Sequence, residues 1–389
     1  MPNHESPQAP ASLADRHPMT DSTLVTAYRW IMTAPERPLE QTEFDLEDPG
    51  PSEVLIRVAG CGVCHTDLGF LYGGVRTRHA LPLALGHEIS GVVVKAGSAS
   101  ECTCGQAVVV PAVMPCGHCD ACNSGYGTVC KAQIMPGNDC HGGFASHVVV
   151  PSKGLCPVPG FDPAQPDALL GESDVDLAAL SVVADAVTTP YQALERARVS
   201  AGDLVCVVGL GGVGGFAAQI AAARGARVIG FDPNTERLEQ MKDFGVANGF
   251  DPSKQVPRKL RSEVRSIASE HGHRAFGWKI FECSGTRAGQ ELAYGLLGPA
   301  AYLSVVGYTL DKIELRLSNL MAFDAKAAGN WGCLPEFYPA ALDTVLSGAV
   351  KVEPFIERHP LAEVQQVLER LQAHELSKRA VLIPESHCG

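Results

Sequence analysis

Positive charge is scarce in this 389-residue sequence: 31 Lys and Arg stand against 43 Asp and Glu, leaving a net charge of −12. That balance is the wrong sign for a phosphate-backbone partner and argues against nucleic-acid binding, although one local basic pocket can still hold an anionic ligand. Glycine and proline, 40 and 27 residues, fall short of a low-complexity share, and an apolar content of 46% is that of an ordinary globular chain. Cysteine, at 14 residues, is too sparse for a disulfide-dense secreted module and fits a reducing, cytoplasmic setting. Residues 1–24 mix both charge signs, lack the apolar core of a signal peptide, and read as a flexible solvated tail. One charge-free window, residues 204–223, has the length of a membrane span, but Gly209, Gly211, Gly212, Gly214 and Gly215 interrupt it. They divide it into a β-branched run and an Ala-rich run, as strand, turn and buried helix require, so no membrane partner is expected. No internal repeat is visible, which argues against solenoids and propellers.

The length suggests two or three domains at about 150 residues each. Residues 25–186 are punctuated by short β-rich runs, VLIRVAG, GVVV, AVVVPAV and SHVVVP, separated by Gly, Pro and Asp, which predicts an irregular, mainly β lobe. Residues 187–331 alternate strand-like LVCVVGL, ARVIGFD, GWKIFECSG and AYLSVVGY with helix-like GFAAQIAAARG, TERLEQMKDFG and GQELAYGLLG. Alternation of this kind predicts a doubly wound parallel sheet with helical crossovers. Residues 332–389 hold an extended VKVEPFIERHP, an amphipathic LAEVQQVLERLQ and a strand-like RAVLIP, and are expected to return to the first lobe.

Three constellations carry chemistry. Cys116, Cys119, Cys122 and Cys130 are spaced C-x2-C-x2-C-x7-C, which lets one loop wrap four thiolates around a tetrahedral zinc and leaves no open position. The competing readings are free or disulfide-paired cysteines and an iron–sulfur cluster. The second is Gly209-x-Gly211-x-x-Gly214, preceded by LVCVV, followed by an Ala-rich helix and then by a strand ending at Asp232. These glycines would admit a pyrophosphate to a helix N-terminus, and Asp232 would accept from the adenosine ribose hydroxyls. A carboxylate there repels a 2′-phosphate, and Pro233, Asn234 and Thr235 offer no adjacent cation, so NAD is expected over NADP. The third is dispersed: GCGVCHTD with Cys64, GHE with His87, and VVADAVTTPYQAL with Asp185. Singly these are a buried thiol, a core imidazole and a helix cap; jointly they make a three-ligand zinc set with an open fourth position.

The motifs GCGVCHTD, GHE, the four-cysteine lobe and GLGGVGG resemble those of the zinc-dependent medium-chain alcohol dehydrogenases, from about residue 25 to the end. The resemblance implies a GroES-like, mainly β catalytic domain formed by residues 25–186 and 332–389, with a Rossmann domain between them. It implies two zinc ions per chain, with Cys64 and His87 as catalytic ligands and Glu88 as a neighbour or alternate ligand. Asp185 falls where many members carry a cysteine ligand, and would bind zinc directly or through a water. By the same likeness Thr66 receives the substrate proton, while His65 and Arg379 lie near the cofactor phosphates. Members often continue the proton relay with a histidine five residues after the first zinc cysteine; here that position is Gly69.

The stretches PAVMPC, MPGN, SVVADAVTTPYQA, GWKIFECSG, VVGYTLDK, LMAFDA and WGCLPE are similar to a narrower group, the dehydrogenases of 6-hydroxycyclohex-1-ene-1-carbonyl-CoA in anaerobic benzoyl-CoA degradation. That likeness implies a cyclic hydroxyacyl-CoA substrate, oxidised by NAD⁺ to the 6-oxo enone thioester. The open zinc position and the β-carbon activated by the new ketone add a separate expectation, a slow conjugate hydration of that enone. Arg76, Arg78 and His79 are the basic group nearest the metal motifs. A homo-oligomer, dimer or tetramer, is expected. The alternatives are a generic NAD-dependent alcohol or polyol dehydrogenase and, more remotely, a zinc-stabilised binding protein without redox chemistry.

Overall fold

The computed structural model describes residues 27–385; the tail expected over residues 1–24 lies outside them. Three sheets organise the chain. The small one is antiparallel, with Ala27–Met32 between Glu40–Phe44 and Leu83–Ala84. A seven-stranded sheet is built around Glu53–Gly62, which pairs antiparallel with Glu88–Ala96 and His147–Pro151. Beyond His147–Pro151, on the edge opposite Glu88–Ala96, the end of Glu53–Gly62 meets the late strand Arg379–Ile383, through the register Val381 to Gly62 and Leu382 to Cys61. The extended segment expected from VKVEPFIERHP is a strand only from Ile356 to Pro360, because Pro354 opens a short 3-10 turn over Glu353–Phe355.

The third sheet has six parallel strands in the spatial order Val246–Phe250, Arg227–Phe231, Leu204–Val208, Lys279–Glu282, Tyr302–Val305, Lys326–Gly329. Counted along the chain that order is 3-2-1-4-5-6, the doubly wound arrangement whose crevice opens where the order reverses, beyond the carboxyl ends of Leu204–Val208 and Lys279–Glu282. All five residues of Leu204–Val208 are buried, as a central strand covered on both faces demands. The charge-free window divides into this strand, a glycine turn and the helix Gly214–Ala223, and no helix among the described residues is long and apolar enough to cross a membrane. Trp278 is fully buried beneath this sheet, with its indole N–H donated to the Leu296 carbonyl at 3.1 Å.

The chain leaves the parallel sheet at Gly329 through a buried polar knot. Gln192, fully buried on helix Thr188–Arg196, donates to Asn330 Oδ1 at 3.1 Å and to the Gly332 carbonyl at 2.9 Å, and accepts from Leu334 N–H at 2.9 Å. Asn330 in turn donates to the Thr189 carbonyl at 3.0 Å. With its buried polar groups thus satisfied, the crossing segment is fixed against the helix that follows Asp185.

Candidate active site

Cys64 stands where strand Glu53–Gly62 gives way to helix His65–Leu71, and its N–H is taken by Asp67 Oδ2 at 2.9 Å. The other oxygen of Asp67, a fully buried carboxylate, accepts from Gly86 N–H at 3.2 Å and lies 3.5 Å from His87 Nδ1. His87 therefore presents Nε2, 3.7 Å from Asp185 Oδ2, and Cys64 Sγ lies 3.8 Å from the same oxygen. Glu88 follows at the start of the next strand, and one donor atom from each of Cys64, His87, Glu88 and Asp185 falls within 4.8 Å of the others. The approach is close: a Cβ on Gly62 would stand 2.1 Å from Glu88 Oε2, so only glycine fits there.

Burial opposes a charge on His87, but Asp67, Asp185 and Cys64 outweigh it and hold the imidazolium well above the ordinary histidine range. Burial likewise raises Asp185, and the hydrogen bond and charge of His87 with the Thr189 hydroxyl reverse it, drawing the carboxyl down to about 2. Glu88 is pushed up to about 7 by burial despite Arg379, whose Nη1 donates to Glu88 Oε1 at 2.5 Å. Glu88 Oε2 has no hydrogen-bond partner. Converging buried anions with an orphaned carboxylate oxygen, an imidazole turned inward and a thiol suit a divalent zinc ion, with the Asp67 carboxylate standing behind His87 on the Nδ1 side.

The second cluster closes on itself. Sγ separations are 3.5 Å for Cys119–Cys122 and Cys130–Cys116, 3.6 Å for Cys119–Cys130 and 3.9 Å for Cys116–Cys122. A tetrahedron with zinc–sulfur bonds of about 2.3 Å has edges of about 3.8 Å, so four thiolates at these spacings match one ion. The distances rule out disulfide pairing and enclose too little space for a multi-iron cluster.

At the glycine turn, Gly209 adopts φ +82° and a Cβ on Gly214 would lie 1.7 Å from the Gly209 carbonyl oxygen. Both positions exclude side chains, and the bare backbone forms an anion cradle at the start of helix Gly214–Ala223. Gly211 and Gly212 line the same cavity as Arg237, Lys378 and Arg379. Arg379 is almost fully buried; its Nε is unpartnered and would lie 3.2 Å from a Cβ on Gly212, so one guanidinium touches both the glycine turn and Glu88. His65 follows Cys64 at the exposed start of its helix; crowding by protein and the charges of Arg379 and His374 hold its imidazole below the usual range. Thr66 Oγ1 is 3.7 Å from Cys64 Sγ.

One expectation needs correction. Asp232 accepts from Leu210 N–H at 2.8 Å and Asn234 N–H at 2.9 Å, but a cation does face it: Arg237 Nη1 lies 3.3 Å from Oδ2. The Asn234 side chain caps helix Thr235–Gln240 by accepting from Arg237 N–H, and that turn folds residue 237 back on the carboxylate. Inspecting only the next three residues misses it. Asp67 and Thr189 stand inside the motifs GCGVCHTD and VVADAVTTPYQAL, but the sequence gives them no role at the site, although an acid in the first turn after Cys64 is a readable sign. Of the basic group near the metal motifs, Arg78 is paired with Asp139 at 3.2 Å while Arg76 remains exposed.

Residues 50–160 match the alcohol dehydrogenase GroES-like domain, and residues 212–347 match the zinc-binding dehydrogenase domain. The chain is 28% identical over 355 residues to an alcohol dehydrogenase of Geobacillus stearothermophilus, covering 89% of this chain and 96% of that one. It is 25% identical over 343 residues to galactitol 1-phosphate 5-dehydrogenase of Escherichia coli K12, covering 85% and 92%. Among solved structures, the alcohol dehydrogenase of the hyperthermophilic archaeon Aeropyrum pernix superposes with a TM-score of 0.79 at 27% identity, over 92% of this chain and all of that one.

Proposed function

Because the chain belongs to the zinc-dependent medium-chain alcohol dehydrogenase family, we propose that it oxidises the ring alcohol of 6-hydroxycyclohex-1-ene-1-carbonyl-CoA with NAD⁺ to the 6-oxo enone thioester. The general activity, zinc-dependent oxidation of an alcohol or polyol, is that of its family. The observation that carries the narrower reading is the space at Gly69, one helical turn from Cys64, where an added Cβ would meet only Val75 Cγ2 at 3.6 Å. A glycine there takes less room than the histidine that many members carry, which supports a ring bulkier than a short alkyl alcohol. We assign residues 25–186 and 332–389 to the catalytic domain and 187–331 to the cofactor domain, and take the 13 free cysteines among the described residues as support for a reducing, cytoplasmic setting.

Zinc bound at Cys64, His87 and Asp185, with Glu88 beside them, supplies Lewis acidity toward the substrate oxygen, and the nicotinamide supplies the hydride acceptor. Asp67 keeps His87 turned with Nε2 inward. Thr66 takes the hydroxyl proton, and with no imidazole at Gly69 to receive it next, that proton passes to water. The cradle of Gly209, Gly211, Gly212 and Gly214, with His65 and Arg379, holds the cofactor phosphates, and Asp232 accepts from its ribose. A homo-oligomer is supported by the free edge of strand Lys326–Gly329 and by exposed Tyr308, Leu310, Leu317 and Met321.

The test is NAD⁺ reduction with the cyclic hydroxyacyl-CoA, its free acid and simple alcohols. Turnover is expected with the thioester; equal or faster turnover of simple alcohols returns the protein to a general alcohol or polyol dehydrogenase. The same site is expected to add water slowly to the β-carbon of the enone product. Mass analysis of the acyl-CoA after incubation in ¹⁸O-water reads this directly, and no label above a metal-free control removes the hydration.

Cofactor choice has its own test. Asp232→Ala removes a ribose acceptor and frees Arg237 for a 2′-phosphate, so the NAD/NADP ratio of kcat/KM is expected to fall at least roughly tenfold, the weight of a hydrogen bond to a charged group. An unchanged ratio would move the ribose away from Asp232.

A further inference from the structure

Two consecutive threonines begin the helix after Asp185, and their hydroxyls do different things. Thr188 donates to the Ala184 carbonyl at 3.1 Å, and the Tyr338 hydroxyl donates to that same carbonyl while accepting from Ala112 N–H at 3.0 Å. The backbone just before Asp185 is thereby held from two sides. Thr189, almost fully buried, donates its hydroxyl to Asp185 Oδ1, and its N–H to the Asp185 carbonyl at 2.8 Å. Only Oδ2 is left facing His87 Nε2 at 3.7 Å and Cys64 Sγ at 3.8 Å.

We propose that Thr189 is a positioning residue for the metal site: by occupying Oδ1 it makes Asp185 a one-oxygen donor and keeps the remaining position open for substrate. This rests on reading Cys64, His87 and Asp185 as the zinc set. The two oxygens of a carboxylate are equivalent and can both turn to a metal, which consumes two coordination positions. A thiolate in this place has no such ambiguity; an aspartate has it unless a donor holds one oxygen. The Thr189 hydroxyl is that donor, and its carbonyl is anchored by Asn330, so the hydroxyl cannot drift from the carboxylate without disturbing the buried knot around Gln192. Donors behind metal ligands are typically worth about 10–100-fold in metal affinity.

The experiment compares Thr189→Val, Thr189→Ser and Cys64→Ser in the full chain. Valine keeps the β-branched shape and a similar helix propensity but has no hydroxyl, whereas serine restores the donor. Metal retained at increasing chelator concentration is measured by elemental analysis, and cobalt is then placed in the catalytic site and its visible bands recorded. Thr189→Val is expected to lose the catalytic metal at about 10–100-fold lower chelator strength and to shift the cobalt bands, with Thr189→Ser returning both toward the original values. Wild-type metal retention and unchanged cobalt bands in Thr189→Val, beside clear metal loss in Cys64→Ser, would overturn the role of Thr189 and leave the site standing. No metal loss in either would overturn both. A lowered melting temperature with unchanged bands would reduce Thr189 to a helix-start residue and overturn the proposal.

Discussion

Cys64→Ser is expected to yield a folded chain with one zinc in place of two and a turnover lowered by at least roughly a thousandfold, since polarisation of the substrate oxygen supplies several kcal/mol of the barrier reduction. The fold survives because Cys64 sits at the start of a seven-residue helix, and its N–H bond to Asp67 uses backbone, not sulfur. The metal does not, because serine replaces a soft thiolate in a cluster whose donors already crowd within 4.8 Å. Circular dichroism, elemental analysis and NAD⁺ reduction together check this. Two zinc ions with normal turnover in Cys64→Ser would remove the cluster from the reaction.

The opposite pattern is expected for Cys119→Ser. A closed four-thiolate site contributes folding energy and no chemistry, so losing one sulfur destabilises the lobe by several kcal/mol and lowers Tm by on the order of 10 °C. The lobe has little else to hold it: its helix Asp120–Asn123 has four residues, none buried, and Tyr126 and Val129 remain exposed. Molecules that stay folded keep the catalytic cluster and should keep most of their turnover. An unchanged melt with full zinc content would show that the four sulfurs hold no ion.

The difference between the two clusters also explains what a sequence reader can see. Cys116 to Cys130 lie on one loop, and the glycine turn lies on one strand–helix junction, so spacing and immediate context are enough to suggest their chemistry. Cys64 and Asp185 are 121 residues apart, so residue type suggests a shared zinc set but spacing does not bring them together, and the likeness between motifs adds that. Arg237 and Thr189 act through a side chain reaching back by one helical turn, which spacing shows only if helix starts are placed to the residue. The parallel sheet follows from its buried strands, but its edges are quieter. Val246–Phe250 alternates buried and exposed positions and Lys326–Gly329 is mostly exposed, as strands covered on one side are. Helix Pro257–Glu270 is absent from the expected elements although Pro257 at its start and Leu260, Val264, Ile267 and Ala268 on one face give it a readable signal.

The guanidinium of Arg379 makes the two halves of the site partners in a thermodynamic cycle. One end is committed to Glu88 and the other stands beside Gly212, so a change at Glu88 on metal binding is expected to reach the place where a dinucleotide would rest. Coupling between binding sites is reciprocal, and a metal that tightens dinucleotide binding by some factor must itself be held tighter by that factor when the dinucleotide is present. Protection of the catalytic metal from a chelator by ADP-ribose, which carries the pyrophosphate but no nicotinamide, measures that factor without any hydride changing hands.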